Sequence, residues 1–149
     1  VALKRRGVKV SIGLGGWNDS AGDKYSRMVN NRSSRKKFID SIINFIKKYD
    51  FDGLDFDWEY PKCWQVISNF IYINFHFLVY KLILINKIQT NCDQGPDSDK
   101  KSFSNILMEI KQAFEPYGYL LSAAVSPSKG VIDSGEHICF FNHIFRLYN

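Results

Sequence analysis

From Gly53 to Glu59 the chain alternates between two kinds of side chain. Leu54, Phe56 and Trp58 fall on one parity; Gly53, Asp55, Asp57 and Glu59 fall on the other. Successive side chains of a strand point to opposite faces, so this run predicts a strand with an apolar face for helices to cover and an acidic face opposite. An earlier alternation, Val8, Val10 and Ile12 against Lys9 and Ser11, predicts another strand that breaks into the glycine-rich loop Gly13-Leu14-Gly15-Gly16-Trp17-Asn18. Between the two, Asn31-Arg32-Ser33-Ser34 offers helix N-caps. Phe38, Ile42, Phe45, Ile46 and Tyr49 then recur at helical steps up to Asp50. Strand, helix, strand is the unit of a parallel α/β fold. Farther on, Asp97-Ser98 can cap a second helix with Phe103, Ile106, Leu107, Ile110 and Phe114 on one face, ended by Pro116 and Gly118. Tyr119 to Val125 reads as a buried strand, with Ser126-Pro127-Ser128 as the loop after it.

The acidic face is where chemistry is expected. Carboxyls at every second position of a strand lie about 7 Å apart. Their mutual repulsion raises at least one pKa and favours a shared proton, which keeps a carboxylic acid available as a proton donor near neutral pH. Asp55, Asp57 and Glu59 taken alone would equally suit a cation site or an acidic turn. The loop Gly13–Asn18 is not a phosphate cradle, since it lacks the further glycine and the lysine of such loops. A tryptophan after glycines is most often plain packing.

The whole run narrows these choices. Asp52-Gly53-Leu54-Asp55-Phe56-Asp57-Trp58-Glu59-Tyr60-Pro61 resembles, at every position, the D-G-x-D-x-D-W-E-Y-P signature of family-18 glycoside hydrolases, the chitinases. Gly15-Gly16-Trp17-Asn18 resembles that family's second signature, at the end of the third barrel strand. The resemblance covers residues 1–65 and about 90–134. It implies an α/β fold, a piece of a (β/α)8 TIM barrel holding strands three to five of eight.

By that resemblance Glu59 would be the general acid and then the base, Asp57 would orient the substrate's acetamido group, and Asp55 would hold the shared proton. Gly15 and Gly16 would let the backbone approach a sugar, and Trp17, Asn18 and Tyr60 would line the sugar subsites. No enzyme nucleophile is implied, because the substrate's N-acetyl oxygen attacks the anomeric carbon. The substrate would be chitin or chito-oligosaccharides, with no cofactor and no metal. The family also implies a secreted parent protein.

Length and charge add boundaries. The chain has 149 residues, where a complete barrel takes about 250. It opens on Val1 with no apolar signal segment, so a fragment is expected, and one inactive by itself. The net charge of +5 is scattered at helical spacing and accompanies no nucleic-acid fold signature, so no nucleic-acid partner is expected. Cys63, Cys92 and Cys139 lack metal-ligand spacing.

Two stretches depart from this pattern. Of the 24 residues Val66–Gln89, 16 are Phe, Tyr, Ile, Asn or Lys, which A- and T-rich codons encode. A membrane span needs about 20 mostly apolar residues, and Asn74, His76 and Lys81 interrupt this run, so no membrane partner is expected. It reads instead as a translated intron. Its removal would join Gln65 to Thr90 and produce a C-W-Q-x-x-C segment that resembles arthropod chitinases. Cys63 and Cys92 would then lie five apart, close enough for a local disulfide in a secreted protein. Residues 135–149 read as an aberrant tail, with seven of the last eleven residues Phe, Ile, Asn or Tyr. Two other functional readings stay open. A catalytically silent chitin-binding relative would keep Trp17 and lose Glu59; a truncated gene product would have no function.

Overall fold

The computed structural model describes residues 3–76 and 79–135, and within 67–88 the backbone alone. The expected tail beyond Gly135 lies outside the described residues. In chain order the elements are β1 (Ser11–Gly15), α1 (Lys24–Val29), α2 (Arg32–Tyr49), β2 (Gly53–Asp57), β3 (Trp64–His76), β4 (Val79–Asn91), α3 (Ser98–Phe114), β5 (Leu120–Ala123) and α4 (Lys129–Gly135). Three of the strands form a parallel sheet in the order β1-β2-β5, with Gly13 beside Asp55 beside Ser122. The parallel α/β architecture is the one the alternating strand and helix patterns predict.

Burial explains why β2 takes the middle. Leu54 and Phe56 are wholly buried and Trp58 nearly so. Phe56 lies against Tyr25, Phe38 and Phe103 with ring centroids 5.6–5.7 Å apart, and Trp58 packs edge-on against Phe103. Helices α1, α2 and α3 therefore cover one face of the sheet. The expected face of α3 is borne out in full: Phe103, Ile106, Leu107, Ile110 and Phe114 are all buried. Arg35 clamps α2 to α3 with two 2.9 Å bonds to Glu109, and donates a third, 2.8 Å long, to the Val29 carbonyl.

The structure corrects several boundaries. Strand β1 begins at Ser11 rather than Val8, because its ladder can run only as far as β2 does, from Ser11 beside Gly53. Val8 is left exposed. On α2 the buried stripe is Ile39, Ile42 and Ile46, while Phe45 and Tyr49 are 40% and 48% exposed and pack along the rim near Phe51. Asn31 does cap α2, accepting the Ser34 N–H at 2.9 Å. Asp97 occupies the cap position of α3 without a capping bond and instead pairs with the Lys62 ammonium. Strand β5 is shorter than Tyr119–Val125 and only half-buried, since no further strand covers its outer edge among the described residues. The short helices α1 and α4 had no expectation.

The run Val66–Gln89 is drawn as most of an antiparallel hairpin, β3 against β4, with Gln65 opposite Thr90 and Trp64 opposite Asn91. Cys63 and Cys92 form a disulfide at its base. Facing residues of antiparallel strands stand about 4.5–5.5 Å apart, and bonded Cα atoms about 3.8 Å. Removing the run would thus need a closure of only about 1–2 Å, with the flanking chain and the disulfide left in place. If the run is absent from the mature protein, peptides from tissue should read straight through Trp64-Gln65-Thr90-Asn91. Mass spectrometry of the native protein checks this, and any peptide from within Phe70–Ile85 would refute it.

Phe56 has three aromatic neighbours and no exposed surface, so its loss leaves a hole that cannot collapse easily. In the folded protein, Phe56→Ala should cost roughly 3–5 kcal/mol. Phe45→Ala, on the exposed rim, should cost well under half of that by urea titration.

Candidate active site

The face of β2 opposite the aromatic layer is polar. Gly13, Asp55 and Ser122 lie side by side across the three strands, and the Ser122 hydroxyl donates to Asp55 Oδ1 at 2.7 Å. One step along β2 comes Asp57, and just past the strand's C-terminal end Glu59. All three acids are partly exposed, while the residues between them are buried. This is the split between faces that the alternation predicts.

The loop after β1 closes on the end of β2. Gly16 N donates to the Asp57 carbonyl at 2.6 Å. A Cβ on Gly15 would lie 2.1 Å from that same carbonyl oxygen, and Gly15 has φ +112°, so only glycine lets the two backbones meet. A Cβ on Gly16 would stand 3.6 Å from Asp57 Oδ2; the Asp57 carboxylate therefore hangs over this glycine pair. Ser20, almost fully buried, completes the junction: its hydroxyl accepts the Glu59 N–H at 2.8 Å and donates to the Asp57 carbonyl at 3.4 Å. The Glu59–Tyr60 peptide bond is cis.

Electrostatics couples the acids. Burial and the neighbouring Asp55 push Asp57 above the usual carboxylate range, with a hydrogen bond from Glu59 opposing part of that shift. Glu59 is likewise raised, first by burial and then by the Asp57 charge, with its hydrogen bond to Asp57 acting in the same direction and one from Tyr60 acting against it. Glu59 thus holds its proton to higher pH than a solvated glutamate and directs it at Asp57. Asp57 Oδ1 is buried and accepts no hydrogen bond among the described residues. The structure brings Asp55, Asp57, Glu59, Gly15, Gly16 and Tyr60 together. Trp17 is half-buried on the same loop, its carbonyl accepting from the Gln65 amide, and Asn18 is exposed beside it. Among the described residues no group of three His, Cys, Asp or Glu side chains is arranged to hold a metal ion.

With that geometry in view, comparison with known proteins is decisive. The profile of the Glycosyl hydrolases family 18 matches residues 1–146. The chain belongs to glycosyl hydrolase family 18. It is 44% identical over 145 residues to Probable chitinase 10 of Drosophila melanogaster, spanning 97% of this chain and 5% of that protein. It is 34% identical over 134 residues to the Endochitinase of Manduca sexta, covering 19% of it. Among solved structures it superposes on catalytic domain 2 of the Ostrinia furnacalis Group II chitinase, a mutant in complex with penta-N-acetylchitooctaose (NAG)5. There the TM-score is 0.78 and the identity 46%, over 97% of this chain and 31% of that one. The α/β fold of this family-18 chain therefore matches a chitinase catalytic domain, of which it spans under a third.

Residues outside the family-18 signatures also hold the site. Ser122 meets Asp55 only because β5 sits in register with β2, and Ser20 is a serine in a polar loop with no local mark. Tyr25 lies beneath the site, stacked on Trp58 at 5.8 Å and donating to Asp19 Oδ2 at 2.5 Å. Burial and the charges of Asp19 and Asp57 raise its phenol well above the ordinary tyrosine value. On sequence alone it reads as one more core aromatic.

Asp52 precedes the acidic face and plays another part. It accepts the Val10 N–H at 2.8 Å and lies 3.4 and 3.5 Å from the Lys4 and Lys9 ammonium groups. The Val10 bond, then Lys4 and Lys9, hold its pKa below the ordinary 3.8. Asp52 and Glu59 should therefore have opposite effects on stability. Asp52's contribution is present above its unfolded pKa and is lost as pH falls through its depressed folded value. Glu59, with a raised folded pKa, costs stability once pH passes that value and costs nothing below its unfolded pKa. At pH 7 Asp52→Asn should lower the urea midpoint and Glu59→Gln should raise it, and both differences should shrink towards acid pH.

Proposed function

We propose that the protein containing this chain is a chitinase that hydrolyses β-1,4-linked N-acetylglucosamine polymers with retention of configuration, the substrate's own acetamido group serving as nucleophile. One observation carries the mechanism: an Asp57 oxygen that is buried, and without a hydrogen-bond donor among the described residues, stands next to a Glu59 that burial and the Asp57 charge hold above the usual carboxylate range. The acetamido N–H of a sugar would supply the missing donor. Asp57 would then turn the acetamido oxygen towards the anomeric carbon and offset the positive charge that develops. Glu59 would give its proton to the glycosidic oxygen as that C–O bond breaks, leaving an oxazolinium ion. Water would then attack the same carbon, yield its proton to Glu59 and reopen the ring. Two inversions give net retention, and Glu59 ends protonated as it began. Asp55, bonded to Ser122, would complete the acid chain behind Asp57 and hold a proton shared with it in the resting site. Gly15 and Gly16 leave room for the sugar to approach, and Trp17, Asn18 and Tyr60 would line its subsites.

Chitin and its oligomers are the proposed partners. The Ostrinia domain that this chain resembles was solved with such an oligomer bound, and relatives from insects bear the name chitinase. Secretion of the parent protein fits the Cys63–Cys92 disulfide, which persists in oxidising compartments. Among the described residues no helix is long and apolar enough to cross a membrane. The 149-residue chain by itself should be inactive, because among the described residues no strand covers the outer edges of β1 and β5.

In the full-length protein, Glu59→Gln keeps the side chain's shape and removes its transferable proton. Turnover of chito-oligosaccharides should fall roughly 10²- to 10⁴-fold, about 3–5 kcal/mol of barrier, while binding survives. Asp57→Asn should also slow turnover strongly. Fully deacetylated chitosan, which has no internal nucleophile, should resist cleavage. Equal rates on chitin and on that polymer, or a Glu59→Gln rate within about threefold of the parent, would overturn the assignment.

A further inference from the structure

Asp99 is a charged side chain with no exposed surface, in the first turn of α3 and outside both sequence signatures. Its carboxylate accepts four hydrogen bonds from two parts of the chain. Oδ1 takes the Ser26 hydroxyl at 2.6 Å and the Asn30 amide at 2.7 Å, from α1 and its C-terminal cap. Oδ2 takes the backbone N–H of Lys62 at 3.2 Å and the Trp64 indole N–H at 3.0 Å. Burying a carboxylate is costly unless it is fully hydrogen-bonded; four donors and a helix N-terminus meet that requirement.

Two of those donors belong to the segment that leaves Glu59. Lys62 is three residues beyond it and has φ +62°, uncommon for a residue with a side chain. Every polar group of Lys62 is tied down: its N–H to Asp99, its carbonyl to Gly95 N at 2.9 Å and Trp64 N at 3.1 Å, its ammonium to Asp97. Between Glu59 and Lys62 lies Pro61, fully buried, with its carbonyl where a Cβ on Gly135 would come within 2.1 Å. Gln65, one residue past Trp64, reaches the Trp17 carbonyl. Glu59 is therefore held from two sides, by Ser20 at its own N–H and by Asp99 through the stiff link Tyr60-Pro61-Lys62.

We propose that Asp99 is a positioning residue for the reaction. Its buried carboxylate anchors the Lys62–Trp64 segment so that Glu59 stays against Asp57 and the Trp17 loop stays beside them. The inference rests on Glu59 being the acid of the proposed function. Slackening the anchor lets Glu59 drift from Asp57 into water. That removes the burial and the like charge that keep it protonated, so the alkaline limb of the rate profile should move towards acid. A merely structural role would lower the folded fraction and leave that limb in place.

The test uses the full-length protein and a soluble chito-oligosaccharide, with kcat, KM and the pH profile measured per folded molecule. Asp99→Ala should lower kcat tenfold or more, change KM less, and move the alkaline limb to lower pH. Asp99→Asn should recover most of the lost kcat. Its carbonyl can still accept from Lys62 and Trp64, the two bonds that hold the Glu59 segment, while its amide faces the Ser26 hydroxyl, which can turn to accept, and gives up only the bond from the Asn30 amide. Trp64→Phe removes one donor and keeps the other three, and should lower kcat several-fold with a smaller shift of the same sign; it decides the matter if Asp99→Ala does not fold. A kcat within twofold of the parent in Asp99→Ala or, failing that variant, in Trp64→Phe would overturn the proposal. So would an unmoved limb, or an Asp99→Asn as slow as Asp99→Ala. Glu59→Gln run alongside separates two failures. Unchanged turnover there overturns the functional reading and this inference with it, whereas a collapse there with Asp99→Ala unaffected overturns this inference alone.

Discussion

Everything in this chain depends on the two-sidedness of β2. Burying Leu54, Phe56 and Trp58 under three helices removes enough apolar area from water to fix which way the strand faces. Full burial of each such side chain is worth roughly 1.5–3 kcal/mol. A strand has no intermediate setting: a slip of one residue would send all three into the site and all the acids into the core. The repulsion among Asp55, Asp57 and Glu59 is thus tolerated because the aromatic layer behind them cannot be given up. The electrostatic strain that raises Asp57 and Glu59 is maintained by hydrophobic packing on the other side of the same strand.

What could be read from the sequence follows from this. The parity of 53–59, the buried stripe of α3 and the Asn31 cap are local patterns, each settled within a few residues, and each stands in the structure. The strand ends differ because length is decided by the neighbour: Val8 and Val10 look like strand, yet the ladder with β2 starts at Ser11, and Val10 meets only Asp52, its carbonyl accepting that residue's N–H and its own N–H donating to the carboxylate. Phe45 and Tyr49 satisfy helical spacing as well as Ile39 does, and only the position of the sheet selects which stripe turns inward. Ser20, Tyr25, Ser122 and Asp99 were invisible for the same reason. A serine or an aspartate acquires its meaning from partners 35 to 73 residues away. Their roles exist only after folding.

The hairpin β3–β4 shows how a fold can accept or lose a long segment without disturbing its chemistry. Its two strands leave and return at facing residues, above a disulfide between Cys63 and Cys92. Of the residues that touch the site, Lys62 precedes the hairpin, and Trp64 and Gln65 are its first two residues, at the base. Gly95 and Asp99, which hold Lys62 and Trp64, follow it. The contacts that matter are made across the base of the hairpin and do not depend on what lies above it.

Two carboxylates, Asp99 wholly buried and Asp57 with one buried oxygen, show how the same functional group can be scaffold in one place and, under the proposed function, chemistry in another. Asp99 has a donor for each of its four strongest acceptor directions and nothing left over. A ligand would have to break those bonds to reach it, and its charge is already spread over α1 and the Lys62–Trp64 segment. Asp57 has burial without that complement. One oxygen lacks a donor among the described residues, the charge of Asp55 lies on one side of it along the strand, and on the other Glu59, itself raised above the usual carboxylate range, is hydrogen-bonded to it. An unsatisfied buried acceptor costs about 1–3 kcal/mol, a cost that a substrate N–H could remove on binding. Stability alone would favour giving Asp57 the partners that Asp99 has. Just past β2 a second polar atom is without a partner among the described residues, the buried indole N–H of Trp58 on the opposite face; that group lies inside the aromatic layer, whereas the Asp57 oxygen lies on the face where the proposed function puts the acetamido N–H.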